Sequence, residues 1–128
     1  MTSRSLLLID DNDDYVTLVK FFFELNTDWK IITAKNGKEG IAKARQQPDL
    51  ILLDVVMPSL NGIDVYKMLK SESTTHSIPT IFLTAMMGVQ KMVSSQVGED
   101  VEVVTKPMDI NVLKNKTKDL YNRYLSAA

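Results

Sequence analysis

The chain has 128 residues, a formal net charge of −1, 45% hydrophobic and 24% charged residues, and no cysteine. That length suits one domain with a continuous core. The near-neutral balance gives no global basic field for nucleic acid or an anionic membrane, and the missing thiols exclude disulfides, thiol nucleophiles and cysteine metal sites.

No apolar run approaches the ~20 residues of a membrane span, and the expected setting is the cytoplasm. Leu6 to Ile9 is wholly apolar and ends in Asp10-Asp11, the pattern of a short strand covered on both faces. Tyr15, Leu18, Val19, Phe22 and Leu25 recur three or four apart and predict one buried helical face, with Asn26 closing the helix in a left-handed conformation. Phe21, Phe22 and Phe23 are consecutive, so a single stripe cannot bury all of them. One ring is expected at a protein contact or over a neighbouring helix.

Lys30 to Ala34 reads as a second strand. Asn36 caps a second helix with Glu39 three residues on; Ile41 and Ala44 face inward and Pro48 ends it. Leu50 to Leu53 is a third strand, ending in Asp54. Met57 to Gly62 has turn chemistry, and a third helix follows over 63–70 with Tyr66 and Leu69 inward. Thr80 to Leu83 is a fourth strand, ending in Thr84-Ala85. Val89, Met92, Val93 and Val97 have helical spacing. Val101 to Thr105 is a fifth strand, ending in Lys106-Pro107. A last helix begins near Asp109 and turns Ile110, Leu113, Leu120, Tyr121 and Tyr124 inward. Its Lys114, Lys116, Lys118 and Arg123 read as a solvated face.

This alternation predicts an α/β domain spanning 1–128: a five-stranded parallel sheet with five helices on both faces, ligands binding beyond the carboxyl ends of the strands. The residues ending the strands are then the informative ones. Asp10, Asp11, Asp54, Thr84 and Lys106 would gather at one edge. Two carboxylates ~4 Å apart repel by about 4 kcal/mol at an effective dielectric near 20, so the acids call for a cation. Hard oxygen ligands at a site that also holds phosphate favour Mg²⁺, and Lys106 brings a fixed ammonium that can follow an oxyanion. The single histidine, His76, lies in a polar loop away from that edge, so no Ser-His or Cys-His pair suits acyl transfer. A carboxylate, however, can accept a phosphoryl group, and phosphoryl transfer asks mainly for positioning and charge neutralisation.

The segments Leu6–Asp11, Asp49–Asp54, Met57–Gly62, Thr84-Ala85 and Lys106-Pro107, in this order and spacing, resemble the response-regulator receiver family over essentially the whole chain. The resemblance implies a flavodoxin-like doubly wound fold. It implies Asp54 as phosphoacceptor; Mg²⁺ held by Asp11, Asp10, Asp54 and the Val56 carbonyl; and Thr84, the Ala85 amide and Lys106 on the phosphoryl oxygens. It further implies a sensor histidine kinase or phosphotransfer protein as donor and an unspecified protein as target, without direct contact to nucleic acid or membrane. The domain would phosphorylate itself and slowly hydrolyse the product rather than turn over a substrate. No output domain follows the last helix in this sequence, and of the two readings, a single-domain regulator acting by protein contact or a receiver cut from a longer chain, the first is the expectation.

Two departures from the family pattern carry expectations. Val103 stands where the family has an aromatic residue that turns inward on activation; a stiff branched side chain cannot perform that rotation, so signalling is expected through the loops and helices after the third and fourth strands. In the family the positions of Val56 and Met86 flank the line of attack of hydrolytic water; both are apolar here, which predicts a long-lived phospho-aspartate. Other readings fit less well. An aspartyl phosphatase needs Asp-x-Asp, whereas Asp54 is followed by Val55 and Val56, and neither Gly-rich nucleotide signature is present. The alternative kept is a degenerate receiver that binds a partner independently of phosphorylation.

Overall fold

The computed structural model describes residues 4–85, 88–98, 101–106 and 109–127. Strands and helices alternate throughout: β1 (Arg4–Ile9), α1 (Asp13–Asn26), β2 (Trp29–Ala34), α2 (Gly37–Ala44), β3 (Leu50–Asp54), α3 (Gly62–Ser71), β4 (Thr80–Thr84), α4 (Val89–Val97), β5 (Glu102–Thr105) and α5 (Ile110–Ala127). The strands form one parallel sheet in the order β2-β1-β3-β4-β5. Chain order reverses direction between β1 and β3, and such a switch point opens a crevice at the carboxyl edge.

The apolar strands alternate between two cores, as side chains of period two must. Leu7, Ile9, Ile51, Leu53 and Phe82 pack with Ile41, Ala44, Ile63, Val65, Leu69 and Val93 of α2, α3 and α4. Leu6, Leu8, Leu50, Leu52, Ile81, Leu83 and Val104 face the other way, onto Val19 and Phe23 of α1 and Leu113 and Tyr121 of α5. The parity matters beyond the core. Asp54 shares the even-numbered face of β3 with Leu50 and Leu52, on the α1/α5 side, whereas Thr84 shares the Phe82 side of β4.

Several expectations need correction. The buried stripe of α1 is Val19 and Phe23, with Tyr15, Val16 and Phe22 partly covered; Leu18 and Leu25 are 53% and 69% exposed. The helix has rotated because Phe23, fully buried, fills more core than Leu25 would. Of the three consecutive rings, Phe21 is the exposed one. Asn26 does not close α1 in a left-handed turn: Thr27 follows with φ −142, and the Asn26 amide donates to the Phe22 carbonyl at 2.9 Å. Helix α2 ends at Ala44, before Pro48, and the chain turns through Gln47 at φ 60. Met92 and Tyr124 are exposed at 39% and 38% rather than buried, while Lys116 and Arg123 pair with Glu102 and Lys114 lies over the Phe22 ring. The Asn36 cap is as expected, its side chain accepting from the Glu39 N–H at 2.8 Å.

Candidate functional site

Each strand-end residue is anchored by backbone hydrogen bonds that carry the ladder past the last paired residue. The Asp10 N–H donates to the Ala34 carbonyl at 3.0 Å, the Val55 N–H to Leu83 at 2.9 Å, and the Lys106 N–H to Thr84 at 2.6 Å. The backbone ladder thus continues through Asp10, Asp54, Thr84 and Lys106 at the sheet's edge. Ile9 pairs with Leu53, Asp54 with Leu83, and Thr84 with Thr105, so the four stand in adjacent rows at the carboxyl edge. His76 lies before β4, at the opposite edge, its ring nitrogen near the Ser73 carbonyl. Pro107 and Met86 lie outside the described residues.

The side chains converge on an open basin of about 440 Å³ lined by Asp10, Asp11, Asn12, Asp54, Val56, Ala85 and Lys106. Asp10 is fully buried, Asp54 is 4% exposed, and Asp11 sits at the rim. Asp10, Asp11 and Asp54 each present an oxygen within 4.8 Å of the other two. Three hard oxygen donors with room for water fit a small divalent cation such as Mg²⁺. The Lys106 ammonium lies 2.7 Å from Asp10 Oδ2 and 3.9 Å from Asp54 Oδ1. Asp10 Oδ1 accepts the Asn12 N–H at 2.9 Å, and Asp54 Oδ1 accepts the Val56 N–H at 3.3 Å. Thr84, on the Phe82 side of β4, is buried and is not among the residues lining the basin.

Burial, and then the neighbouring charge of Asp10, push the Asp54 carboxyl from 3.8 up to about 6, against the opposing pull of Lys106 and the Val56 N–H. Because the folded state binds this proton more tightly than the unfolded chain, the contribution to stability is complete below about pH 3.8 and is lost as pH rises toward 6. The gain in stability of Asp54→Asn over the wild type should therefore grow by about 2 kcal/mol across that window, after allowance for solvent reaching the open basin. Urea unfolding in chelator at pH 4 and pH 7 checks this, and a stability difference independent of pH would refute it.

One contributor stands outside the strand-end pattern. Tyr15, in the first turn of α1, places its ring 4.4 Å from the Lys106 ammonium. Burial and the charges of Asp10 and Asp54 raise its phenol to about 12, so it faces the site neutral. Its helical spacing marked it only as core. A polar-tipped aromatic directly after an acidic strand end and an Asn cap is the clue that was available. Asn12 is another: it caps α1 by accepting the Tyr15 N–H at 3.0 Å while its own N–H holds Asp10.

Residues 6–118 match the profile of the response regulator receiver domain. Over 128 aligned residues the chain is 33% identical to the alkaline phosphatase synthesis transcriptional regulatory protein PhoP of Bacillus subtilis, an alignment covering 98% of this chain and 52% of that protein. The chain thus spans about half the length of this relative. A solved Francisella response-regulator receiver domain superposes with a TM-score of 0.80 at 27% identity, covering 94% of this chain and 98% of that one. The receiver domain of a Pseudomonas aeruginosa sensor histidine kinase, solved with a magnesium ion coordinated in its active-site cleft, has the same fold, with a TM-score of 0.82 at 19% identity over 94% of this chain and 99% of that one. With a profile that matches nearly the whole chain, a sheet in the order β2-β1-β3-β4-β5 and an acidic basin at its switch point, the chain belongs to the response-regulator receiver family of two-component signalling.

Proposed function

We propose that this receiver accepts a phosphoryl group on Asp54 from the phosphohistidine of a sensor kinase or phosphotransfer protein, and that the phospho-aspartate switches its binding to a downstream protein. The observation that carries the reading is the placement of Asp54. It ends the central strand β3, almost fully buried, with Asp10 and Asp11 on one side and Lys106 within 3.9 Å. An Asp54 oxygen forms the new P–O bond while the P–N bond breaks and its electron pair stays on the donor imidazole. In this reading Lys106 pairs with the phosphoryl oxygens, and the Thr84 hydroxyl and Ala85 amide donate to them. Asp10, Asp11, Asp54 and the Val56 carbonyl would hold Mg²⁺, in keeping with the magnesium-bound Pseudomonas neighbour. When bound, that ion neutralises negative charge on the phosphoryl group.

The test is to incubate the chain with acetyl phosphate, with and without Mg²⁺, and weigh it. The expected result is one added phosphoryl group that requires Mg²⁺ and is absent in Asp54→Asn. If the wild type gains nothing, the phosphorylation-independent binding module is the better reading. Within our reading the partners are proteins in the cytoplasm, and among the described residues no helix is long and apolar enough to cross a membrane.

Val103 pairs with Phe82 and packs against the α2–α4 core. With no ring to rotate there, the switch runs through the backbone after β3 and β4. Val56, 49% exposed at the basin's rim, cannot orient water. The phospho-aspartate should accordingly persist for minutes in Mg²⁺. Loss within seconds, followed by mass, would contradict this.

A further inference from the structure

Lysine is a flexible four-carbon stem carrying a strongly hydrated charge, so holding it in one place requires more than one contact. Lys106 has three, each from a different element. Its ammonium lies 2.7 Å from Asp10 beyond β1, 3.9 Å from Asp54 on β3, and 4.4 Å from the centre of the Tyr15 ring on α1. The two carboxylates draw the charge inward, and the ring lies against it from the helix side. Only 12% of the Lys106 side chain is left to solvent.

The ring is itself held in place. Asn12 links acid and helix: its N–H donates to Asp10 Oδ1 at 2.9 Å, and its own side chain accepts the Tyr15 N–H at 3.0 Å. The start of α1, and with it the ring, is thereby registered against the carboxylate that holds the lysine. Tyr15 packs partly buried on the β1/β3/α1 core, so the ring has limited freedom to turn away. An aliphatic residue would fill the same space without the negative face that attracts an ammonium.

We propose that Tyr15 is a positioning residue for Lys106, its ring closing the helix side of a cradle that keeps the ammonium aimed at the phosphoryl group arriving on Asp54. The proposal rests on the phosphoacceptor reading above, and its test separates the two.

The first measurement needs no reaction. In metal-free protein, the proton resonances of the Lys106 ε-methylene should be shifted upfield by the ring current. Tyr15→Phe should keep the shift and Tyr15→Leu should abolish it. An unshifted Lys106 in the wild type overturns the proposal. The second measurement is the rate of phosphorylation by acetyl phosphate in saturating Mg²⁺. Tyr15→Leu should be slower by about five- to tenfold, while Tyr15→Phe, which keeps the ring, stays within about twofold of the wild type. In a Lys106→Ala background, Tyr15→Leu should cause no further loss, because the group it positions is gone. A Tyr15→Leu rate equal to wild type, or an equal loss with and without Lys106, overturns the proposal. If the wild type itself gains no phosphoryl group, the functional reading falls, and the ring-current shift alone then decides whether Tyr15 holds the ammonium. Should Tyr15→Leu fail to fold, the wild-type and Tyr15→Phe spectra still decide: an upfield shift in both supports the proposal, and its absence from either overturns it.

Discussion

Lys106→Ala is expected to cost the metal-free protein about 3 kcal/mol at pH 7, a loss that excess Mg²⁺ largely restores while phosphorylation by acetyl phosphate stays slower by about a hundredfold. Removing the ammonium leaves Asp10, fully buried, with the Asn12 N–H in place of an ion pair at 2.7 Å. Taking one partner from a buried pair is expensive because the remaining charge has been desolvated for nothing. The same ammonium opposes the upward push on Asp54, so without it that carboxyl is harder still to ionise. The penalty should therefore shrink as pH falls toward 4, where Asp54 carries its proton in either protein. A divalent cation bound among Asp10, Asp11 and Asp54 replaces the lost charge, and a ligand at a hundred times its dissociation constant stabilises by about 2.7 kcal/mol. It does not restore the donor that Lys106 offers to the phosphoryl oxygens, and loss of one such group from a preorganised site costs about a hundredfold. Urea unfolding with and without Mg²⁺, at pH 4 and pH 7, reads the first part, and single-turnover mass spectrometry reads the second. Wild-type stability of Lys106→Ala in chelator at pH 7 would show that the pair at 2.7 Å holds nothing.

The strands and their ends were legible because a strand buried on both faces must be apolar along its length, so the first polar residue announces the edge. Leu6 to Ile9 before Asp10, and Leu50 to Leu53 before Asp54, each did so. Parallel order then followed from the alternation with helices, and convergence of the end residues followed from parallel order. The rotation of α1 was not legible. From Tyr15 to Leu25 that helix is apolar on most sides, and spacing alone cannot choose between a stripe through Leu18 and Leu25 and one through Val19 and Phe23; only the shape of the sheet beneath decides. The partner of Lys106 was equally hidden. Asp10 lies 96 positions away, and the sequence offers Asp10, Asp11 and Asp54 on equal terms. Side-chain parity turns Asp10, Asp54 and Lys106 alike toward α1, where Tyr15 lies, and so sets aside only Asp11; between the other two acids the packed geometry decides, with the ammonium 2.7 Å from Asp10 and 3.9 Å from Asp54.

The sequence also left the need for Gly62 unexplained, and it carries the other large effect. Gly62→Ala should destabilise the protein by about 3 kcal/mol and slow phosphorylation sharply, although alanine is ordinarily preferred to glycine in a helix by about 1 kcal/mol. Gly62 opens α3, with the Asn61 side chain accepting the Asp64 N–H at 2.9 Å. Its own N–H is bonded back to the Val55 carbonyl at 2.8 Å, which pulls the start of the helix down onto the end of β3. A Cβ there would overlap the Asp54 carbonyl oxygen and stand 2.8 Å from the Val55 Cα. Both are backbone atoms at the end of the central strand, so no rotamer change relieves the overlap; either the helix lifts off or the strand end shifts. A shift moves the very carboxylate that must meet the phosphorus, and an error of about 1 Å in such a geometry costs about a hundredfold in rate. Gly88 supplies the comparison. It has φ 81 and nothing within 4 Å of its own added Cβ, so Gly88→Ala meets only left-handed strain of about 1 kcal/mol and leaves Asp54 where it is. Thermal unfolding and acetyl-phosphate rates of the two variants side by side decide the matter. If Gly62→Ala proves no less stable and no slower than Gly88→Ala, then contact between helix and strand is not what confines this position to glycine.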